Sequence, residues 1–194
     1  DDQLALYLHI PFCRHRCSYC DFNTYTSLDS LKAAYTTALC REIEQVGRLA
    51  GGKRPCHTLF FGGGTPSLMS PAMLEQILQT ARRYFALTDD AEITLEANPG
   101  TVDGDYLTAV HQLGINRLSF GVQSAIASEL ALLEREHDFP AVVAAAADAR
   151  AAGFTNFSLD LIYGVPGQTL ASWEQSLRAA LALEPPHISL YCLT

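Results

Sequence analysis

Short apolar runs alternate along the chain with longer stretches in which apolar residues recur at helical spacing. The run from Leu4 to Ile10 has the length and composition of a buried strand, and Pro11 ends it. In the stretch 28–50, apolar residues recur three and four positions apart, which predicts a helix with one apolar face. The same alternation continues and predicts six strands, at 4–10, 57–61, 92–96, 116–120, 157–161 and 187–191. It also predicts five helical regions, at 28–50, 70–85, 101–114, 127–152 and 170–183, of which 127–152 is broken near Asp138-Phe139-Pro140.

Alternating strands and helices with apolar strands are typical of a parallel sheet covered by helices. We therefore expect an α/β fold in which residues 1–194 form one domain. In such a sheet, the loops that follow the strands meet at the carboxyl edge, where ligands bind. The polar and glycine-rich segments of this chain fall at those positions, so we expect them to meet at one edge.

Three cysteines follow the first predicted strand with the spacing C-x3-C-x2-C, namely Cys13, Cys17 and Cys20. Three thiols are an odd number for disulfides and one short of the four that close a zinc site or fully ligate an iron–sulfur cluster. The spacing favours an incompletely ligated iron–sulfur cluster, and a zinc site completed by His15 is the alternative. The other cysteines are expected to be buried as small apolar residues: Cys40, Cys56 and Cys192.

Polar residues also follow or end the other predicted strands. Gly62-Gly63-Gly64-Thr65-Pro66 follows the second strand and lacks the lysine of a phosphate-binding P-loop. Glu96 ends the third strand, Gln123 lies in the loop after the fourth, and Asp160 lies within the fifth. An unpaired carboxylate in an apolar strand is costly, so the two acids are predicted to bind a ligand or to form a structural pair.

Composition excludes several classes of function. A net charge of -8 argues against nucleic acid as the main partner, because phosphate binding requires a basic surface. No apolar run reaches the roughly 18 residues of a transmembrane helix, and the first twelve residues lack the pattern of a signal peptide. We therefore expect a cytoplasmic protein, in which clustered thiols stay reduced and bind metal.

The Cys13-x3-Cys17-x2-Cys20 segment resembles the cluster motif of radical S-adenosylmethionine (SAM) proteins. Further segments resemble the oxygen-independent coproporphyrinogen III oxidase family, and within it the HemW-type heme chaperone branch. The resemblance implies a partial (β/α)6 TIM-like barrel of the radical SAM type. The segments that carry it are 7–13, 61–67, 95–99, 119–124 and 160–169.

The resemblance implies a [4Fe–4S] cluster that is bound by Cys13, Cys17 and Cys20. It further implies that the fourth iron is chelated by the amino and carboxylate groups of SAM, so that a fourth cysteine would block the ligand. The other SAM contacts that it implies are Tyr7 and Tyr19 beside the cluster, the backbone of Gly63, Gly64 and Thr65 at the ammonium group, Glu96 near that group, Gln123 and Asp160 at the ribose, and Arg135 at the carboxylate.

Two departures from the family pattern favour the heme chaperone branch. Phe22 stands where the decarboxylating branch has a further cysteine. That branch also has a longer N-terminal arm, whereas only twelve residues precede Cys13 here. The implied function is to bind heme as cargo and to deliver it to acceptor proteins such as membrane respiratory enzymes. The alternative is an oxygen-independent coproporphyrinogen III dehydrogenase. Family members continue beyond the position of Thr194, so the resemblance implies that residues 1–194 are a truncated SAM core.

Overall fold

Six parallel strands form a single sheet in the computed structural model, which describes residues 4–51 and 53–193. The expectation that a further domain follows Thr194 lies outside the described residues. The strands are β1 (Leu4–Ile10), β2 (Pro55–Gly63), β3 (Ala86–Ala97), β4 (Arg117–Gln123), β5 (Phe157–Tyr163) and β6 (His187–Cys192). The helices are α1 (Lys32–Leu49), α2 (Pro71–Tyr84), α3 (Gly104–Gln112), α4 (Ala127–Leu132), α5 (Phe139–Ala151) and α6 (Leu170–Leu181).

The strands lie side by side in the order in which they occur along the chain, and every neighbouring pair is parallel. This confirms the predicted α/β fold with a parallel sheet, in which β1 and β6 form the two edges of an open sheet. The register places Glu96 opposite Ser119, Ser119 opposite Ser158, and Asp160 opposite Ser189. Polar residues that are distant in sequence therefore become neighbours on one face.

One prediction about the fourth strand is wrong, and one about the helical region that follows it is confirmed. Gln123 does not lie in a loop: it is the last residue of β4 and pairs with Leu161 of β5 beyond a bulge. The predicted break near Asp138-Phe139-Pro140 in the helical region 127–152 is confirmed, because the side chain of Asp138 accepts a hydrogen bond from the Ala141 N–H and starts α5 separately. The residues that the structure describes therefore contain six α-helices in the five predicted helical regions.

The other helix boundaries follow their capping residues. The prediction of Ser70 as an N-cap is confirmed, since its hydroxyl accepts a hydrogen bond from the Met73 N–H. The third helix begins at Gly104, and not at the predicted Thr101, because Asp103 caps it and 99–101 form a separate short 3-10 turn. No helix in the part of the chain described is both long and apolar enough to cross a membrane.

The two faces of the sheet differ in chemistry. Residues such as Phe61, Leu95 and Leu159 point toward the helices and are completely buried. Each such side chain contributes about 1.5–3 kcal/mol through burial. The alternate positions face the inside of the curved sheet and include polar residues such as Glu96 and Asp160. The apolar outer face thus holds the strands in place, and the inner face is free to bind a ligand.

Candidate functional site

A cavity of about 350 Å³ opens at the carboxyl edge of the sheet, the size of a small-ligand site. It lies where the loops after β1, β2, β4 and α4 approach one another. The structure brings together all the predicted site residues except Tyr7. The predicted residues that line the cavity are Cys13, Cys17, Tyr19, Cys20, Gly63, Gly64, Thr65, Glu96, Gln123, Arg135 and Asp160.

Tyr7 lies beside this cavity and does not line it. Its ring stacks on Phe60 with 6.0 Å between ring centroids, and its hydroxyl is 3.2 Å from Nδ1 of His9. Burial and, to a smaller extent, the charge of Glu96 raise the pKa of Tyr7. Tyr7 is therefore close to the site, but its contact with a ligand stays a prediction.

The cysteine loop is fixed at its start by backbone hydrogen bonds. The Cys13 N–H donates to the Tyr25 carbonyl at 3.0 Å, and the Tyr25 N–H donates to the Pro11 carbonyl at 2.8 Å. From the neighbouring loop, the Thr65 N–H donates to the Phe12 carbonyl at 2.8 Å. The first cysteine is thus attached both to the end of its own loop and to the segment that follows β2.

The three thiols are free and lie close enough to influence one another. Burial raises the pKa of the Cys13 thiol, the Thr65 hydroxyl opposes this, and Cys20 and Cys17 raise it further. The Thr65 hydroxyl donates to the Cys13 sulfur at 3.7 Å, and Nη1 of Arg135 donates to the Cys17 sulfur at 3.6 Å. These donors stabilise sulfur with negative character, which is the form that binds metal.

The donor chemistry of the loop fits an iron–sulfur cluster. Within residues 4–51 and 53–193, no three His, Cys, Asp or Glu side chains are arranged to hold one metal ion. Nε2 of His15, the fourth ligand in the zinc alternative, lies 3.1 Å from a carboxylate oxygen of Glu134. Three thiols around one cavity suit a cluster, because its thiolates bind different iron atoms. The identity of the metal stays a prediction.

The glycine segment after β2 allows backbone to approach both the cysteine loop and β3. Gly63 has φ +116°, a conformation that L side chains rarely adopt, and its N–H donates to a Glu96 oxygen at 2.9 Å. A Cβ at Gly64 would lie 2.7 Å from the Phe12 carbonyl oxygen and 3.0 Å from the Cys13 sulfur. A side chain at either position would therefore displace the segment.

Glu96 and Asp160 face the same cavity. Burial raises the pKa of the Glu96 carboxyl, the Gly63 N–H and His9 oppose the shift, and Asp160 adds to it. A cation beside Glu96 would offset the cost of burying its charge and the repulsion from Asp160. This is the environment that the ammonium group of an amino acid requires.

Arg135 provides the opposite charge across the cavity. Its Nη2 donates to the Gly121 carbonyl at 2.8 Å, and its Nη1 donates to the Tyr19 hydroxyl at 3.4 Å. Burial raises the pKa of Tyr19 to about 12, so the phenol is neutral at pH 7. Nε of Arg135 is buried and finds no hydrogen-bond partner among the described residues. A buried N–H without a partner is costly, and the guanidinium group that carries it lines the cavity.

Gln123 has an unusual backbone conformation at the end of β4. Its φ of +69° lies in the left-handed region, which is uncommon for a residue with a side chain. The bulge between Gly121 and Gln123 and a 2.9 Å bond from the Ser124 N–H to the Val122 carbonyl accompany this conformation. Strained conformations of this kind concentrate at ligand sites.

Several residues that line the cavity were missed by the sequence interpretation. Ser119 is two positions before Gly121 and four before Gln123, so the period-two pattern of a strand would have placed it on the same face. The prediction that Cys192 is buried is wrong: it is exposed and lines the cavity, since β6 pairs only with β5 among the described residues. Phe22 also lines the cavity, and 64% of its surface is exposed.

Glu129 of α4 joins the loops behind the cavity. It is buried, and its carboxyl oxygens accept hydrogen bonds from Ser124 at 2.6 Å, Ser172 at 2.8 Å and Gln168 at 3.1 Å. Ser124 directly follows Gln123, whereas Gln168 lies in the segment between β5 and α6 and Ser172 in the first turn of α6. One side chain therefore connects the ends of two neighbouring strands.

We expect Glu129→Ala to lower the free energy of unfolding by about 2–4 kcal/mol, because the buried Ser124 and the half-buried Gln168 and Ser172 lose their shared acceptor. Urea unfolding with a constant m-value measures this change. The matched control is Glu174→Ala, which removes a carboxylate exposed on α6 and is expected to change stability little. Equal stability of the two variants would contradict the structural role of Glu129.

Comparison with known proteins places this geometry in a family. The family model described as the radical SAM superfamily matches residues 7–180. The heme chaperone HemW of Synechocystis is 45% identical over an alignment of 195 positions, which covers 97% of this chain and 47% of that protein. HemW of Escherichia coli is 41% identical over 98% of this chain and 50% of its own length. The chain thus spans about half the length of these curated relatives.

A solved structure has the same fold. The coproporphyrinogen III oxidase HemN of Escherichia coli, described as a radical SAM enzyme, superimposes with a TM-score of 0.93 at 34% identity. The match covers 100% of this chain and 45% of that one. The described sheet therefore has the arrangement of the corresponding part of a radical SAM enzyme.

Proposed function

The chain belongs to the radical SAM superfamily, and from that premise we propose that it is the SAM core of a heme chaperone. Family membership implies a [4Fe–4S] cluster and SAM. The observation that carries the finer proposal is the similarity to curated heme chaperones across 97–98% of the chain. Phe22 supports it, because the resemblance places a further cysteine there in the decarboxylating branch.

We assign the residues of the cavity to the parts of SAM by their chemistry. Cys13, Cys17 and Cys20 hold the cluster, which supplies one-electron chemistry to bound SAM. Glu96 with the backbone of Gly63 receives the ammonium group, as the raised pKa of the Glu96 carboxyl supports.

The opposite wall completes the assignment. Arg135 pairs with the carboxylate of SAM through a guanidinium fork, and its position in the cavity wall opposite Glu96 and Asp160 supports this role. Gln123 and Asp160 hydrogen-bond the ribose, and Gly64, Thr65 and Tyr19 shape the remaining wall of the cavity.

We further propose that heme is the cargo and that a heme-dependent acceptor protein, such as a membrane respiratory enzyme, receives it. A cytoplasmic location belongs to the same proposal, because a reducing compartment keeps the three thiols available for metal. The net charge of -8 supports a partner other than nucleic acid.

Heme transfer under anaerobic conditions tests this function. The cluster-containing protein is loaded with heme and mixed with an apo acceptor, and the absorbance of the holo acceptor is followed. We expect acceptor loading to exceed spontaneous transfer from free heme. Transfer at the spontaneous rate would overturn the chaperone proposal.

Porphyrinogen oxidation is the second candidate, and the structural match to HemN favours it. The same preparation, incubated with coproporphyrinogen III, SAM and a reductant, is assayed for protoporphyrinogen. The chaperone proposal predicts none above a control without SAM. Sustained turnover would replace the chaperone proposal by an oxidoreductase.

A further inference from the structure

Two serines from neighbouring strands orient the carboxyl group of Asp160. The Ser119 hydroxyl on β4 donates to Oδ2 at 2.7 Å, and the Ser158 hydroxyl on β5 donates to Oδ1 at 2.9 Å. Ser158 is completely buried, and Ser119 exposes 8% of its surface. Because Ser119 and Ser158 are opposite each other in the β4–β5 register, both hydroxyls reach the same carboxyl group.

A second shell of hydrogen bonds sets the direction of the Ser158 hydroxyl. A serine hydroxyl has one proton, and Ser158 gives it to Asp160. Ser158 must then accept from its other neighbours, Nδ1 of His187 at 3.0 Å and the Ser189 hydroxyl at 3.1 Å. Both lie on β6, so groups on β5 and β6 together direct the Ser158 proton toward Asp160.

This arrangement leaves a defined acceptor pattern for a ligand. Each carboxyl oxygen has two lone-pair directions, and one serine occupies one direction on each oxygen. One direction on each oxygen remains, on a carboxyl group that lines the cavity. Two acceptors a carboxylate-width apart match two adjacent hydroxyl groups, as in the 2′,3′-diol of a nucleoside.

We propose that Ser119 and Ser158 are positioning residues that fix the plane of the Asp160 carboxyl for bidentate recognition of a ribose diol, an inference that rests on the proposed assignment of Asp160 to the ribose. The serines act through Asp160. Their removal leaves a carboxyl group that rotates and engages one hydroxyl at a time.

The test compares binding of SAM and of its 2′,3′-dideoxy analogue to the cluster-containing protein by anaerobic calorimetry. We expect Ser158→Ala and Ser119→Ala each to weaken SAM binding about tenfold and to leave binding of the dideoxy analogue unchanged. Ser119→Thr keeps the hydroxyl and is expected to restore SAM affinity. Thr94→Ala removes a buried hydroxyl on β3 that bonds to Glu92, and serves as the control without effect on either ligand.

The Asp160→Asn variant distinguishes a wrong ribose assignment from a wrong positioning proposal. If Asp160→Asn leaves SAM affinity unchanged, the ribose assignment of the proposed function is wrong. If Asp160→Asn weakens binding but both serine variants bind SAM as the wild type does, only the positioning proposal is wrong. Equal loss for SAM and the dideoxy analogue in the serine variants would indicate general disruption and overturn it as well. Should Ser158→Ala fail to fold, Ser119→Ala and Ser119→Thr give the decision alone.

Discussion

Replacing Cys17 with alanine is expected to reduce the iron content of anaerobically reconstituted protein from about four atoms per chain to a small fraction of that value. The reason is the donor count: the loop after β1 contributes three thiols to the cavity, and two of them cannot hold a cluster that already lacks one protein ligand. Quantitation of iron and acid-labile sulfide measures the change, with loss of the visible absorbance of the cluster as a second readout.

Cys40→Ala is the matched control for this experiment. Cys40 lies on α1, half-buried, and its thiol donates to the Gln76 carbonyl at 3.8 Å, away from the cavity. It is expected to keep the iron and sulfide of the wild type. Full iron content in Cys17→Ala would reject the cluster assignment, and stoichiometric zinc without iron in the wild type would favour the zinc alternative.

Gly64→Ala is expected to destabilise the fold and to impair cluster assembly together. The added Cβ would lie 2.7 Å from the Phe12 carbonyl oxygen and 3.0 Å from the Ile10 carbonyl oxygen, and backbone cannot move away as a flexible side chain does. Overpacking of this kind costs about 1–3 kcal/mol. The Cys13 sulfur, also 3.0 Å away, would be displaced with its loop.

The measurements for this variant are the unfolding midpoint in urea and the iron content after reconstitution. Gly100→Ala is the control, because its Cβ would meet the nearest atom, Cβ of His137, at an ordinary contact distance of 3.6 Å. We expect Gly100→Ala to match the wild type in iron. If Gly64→Ala also keeps wild-type stability and iron, the close approach of the two segments does not matter for the site.

Much of the fold follows from local patterns. Strand β1 begins and ends where the apolar run predicts, because the length of an apolar run and the proline after it are local properties of the sequence. The break near Asp138 in the helical region 127–152 was predictable because a capping aspartate and a first-turn proline are also local signals. The strand ends were misjudged, since pairing with a neighbouring strand carries Gln123 into the sheet.

Part of the candidate site is also predictable from local patterns in the sequence. Residues in glycine-rich or cysteine-rich loops can be identified from the local composition, and these residues do line the cavity. Tyr7 was predicted as a site residue from its position in a family motif. In the structure its ring packs on Phe60 beside the cavity, and its contact with a ligand stays a prediction. Ser119 and Ser158 carry no signal of their own, because a serine in a strand is common, and only their shared partner Asp160 makes them informative.

The sequence by itself determined the order of the strands and helices, the three-thiol loop and the family motifs, because these depend on spacing along the chain. The tertiary structure alone decided which side chains meet. The parallel register brings Ser119, Ser158 and Asp160 together across 41 residues of sequence separation, and packing between loops places Glu129 among three donors. Such contacts depend on the relative placement of distant segments, which no local pattern of apolar and polar residues specifies.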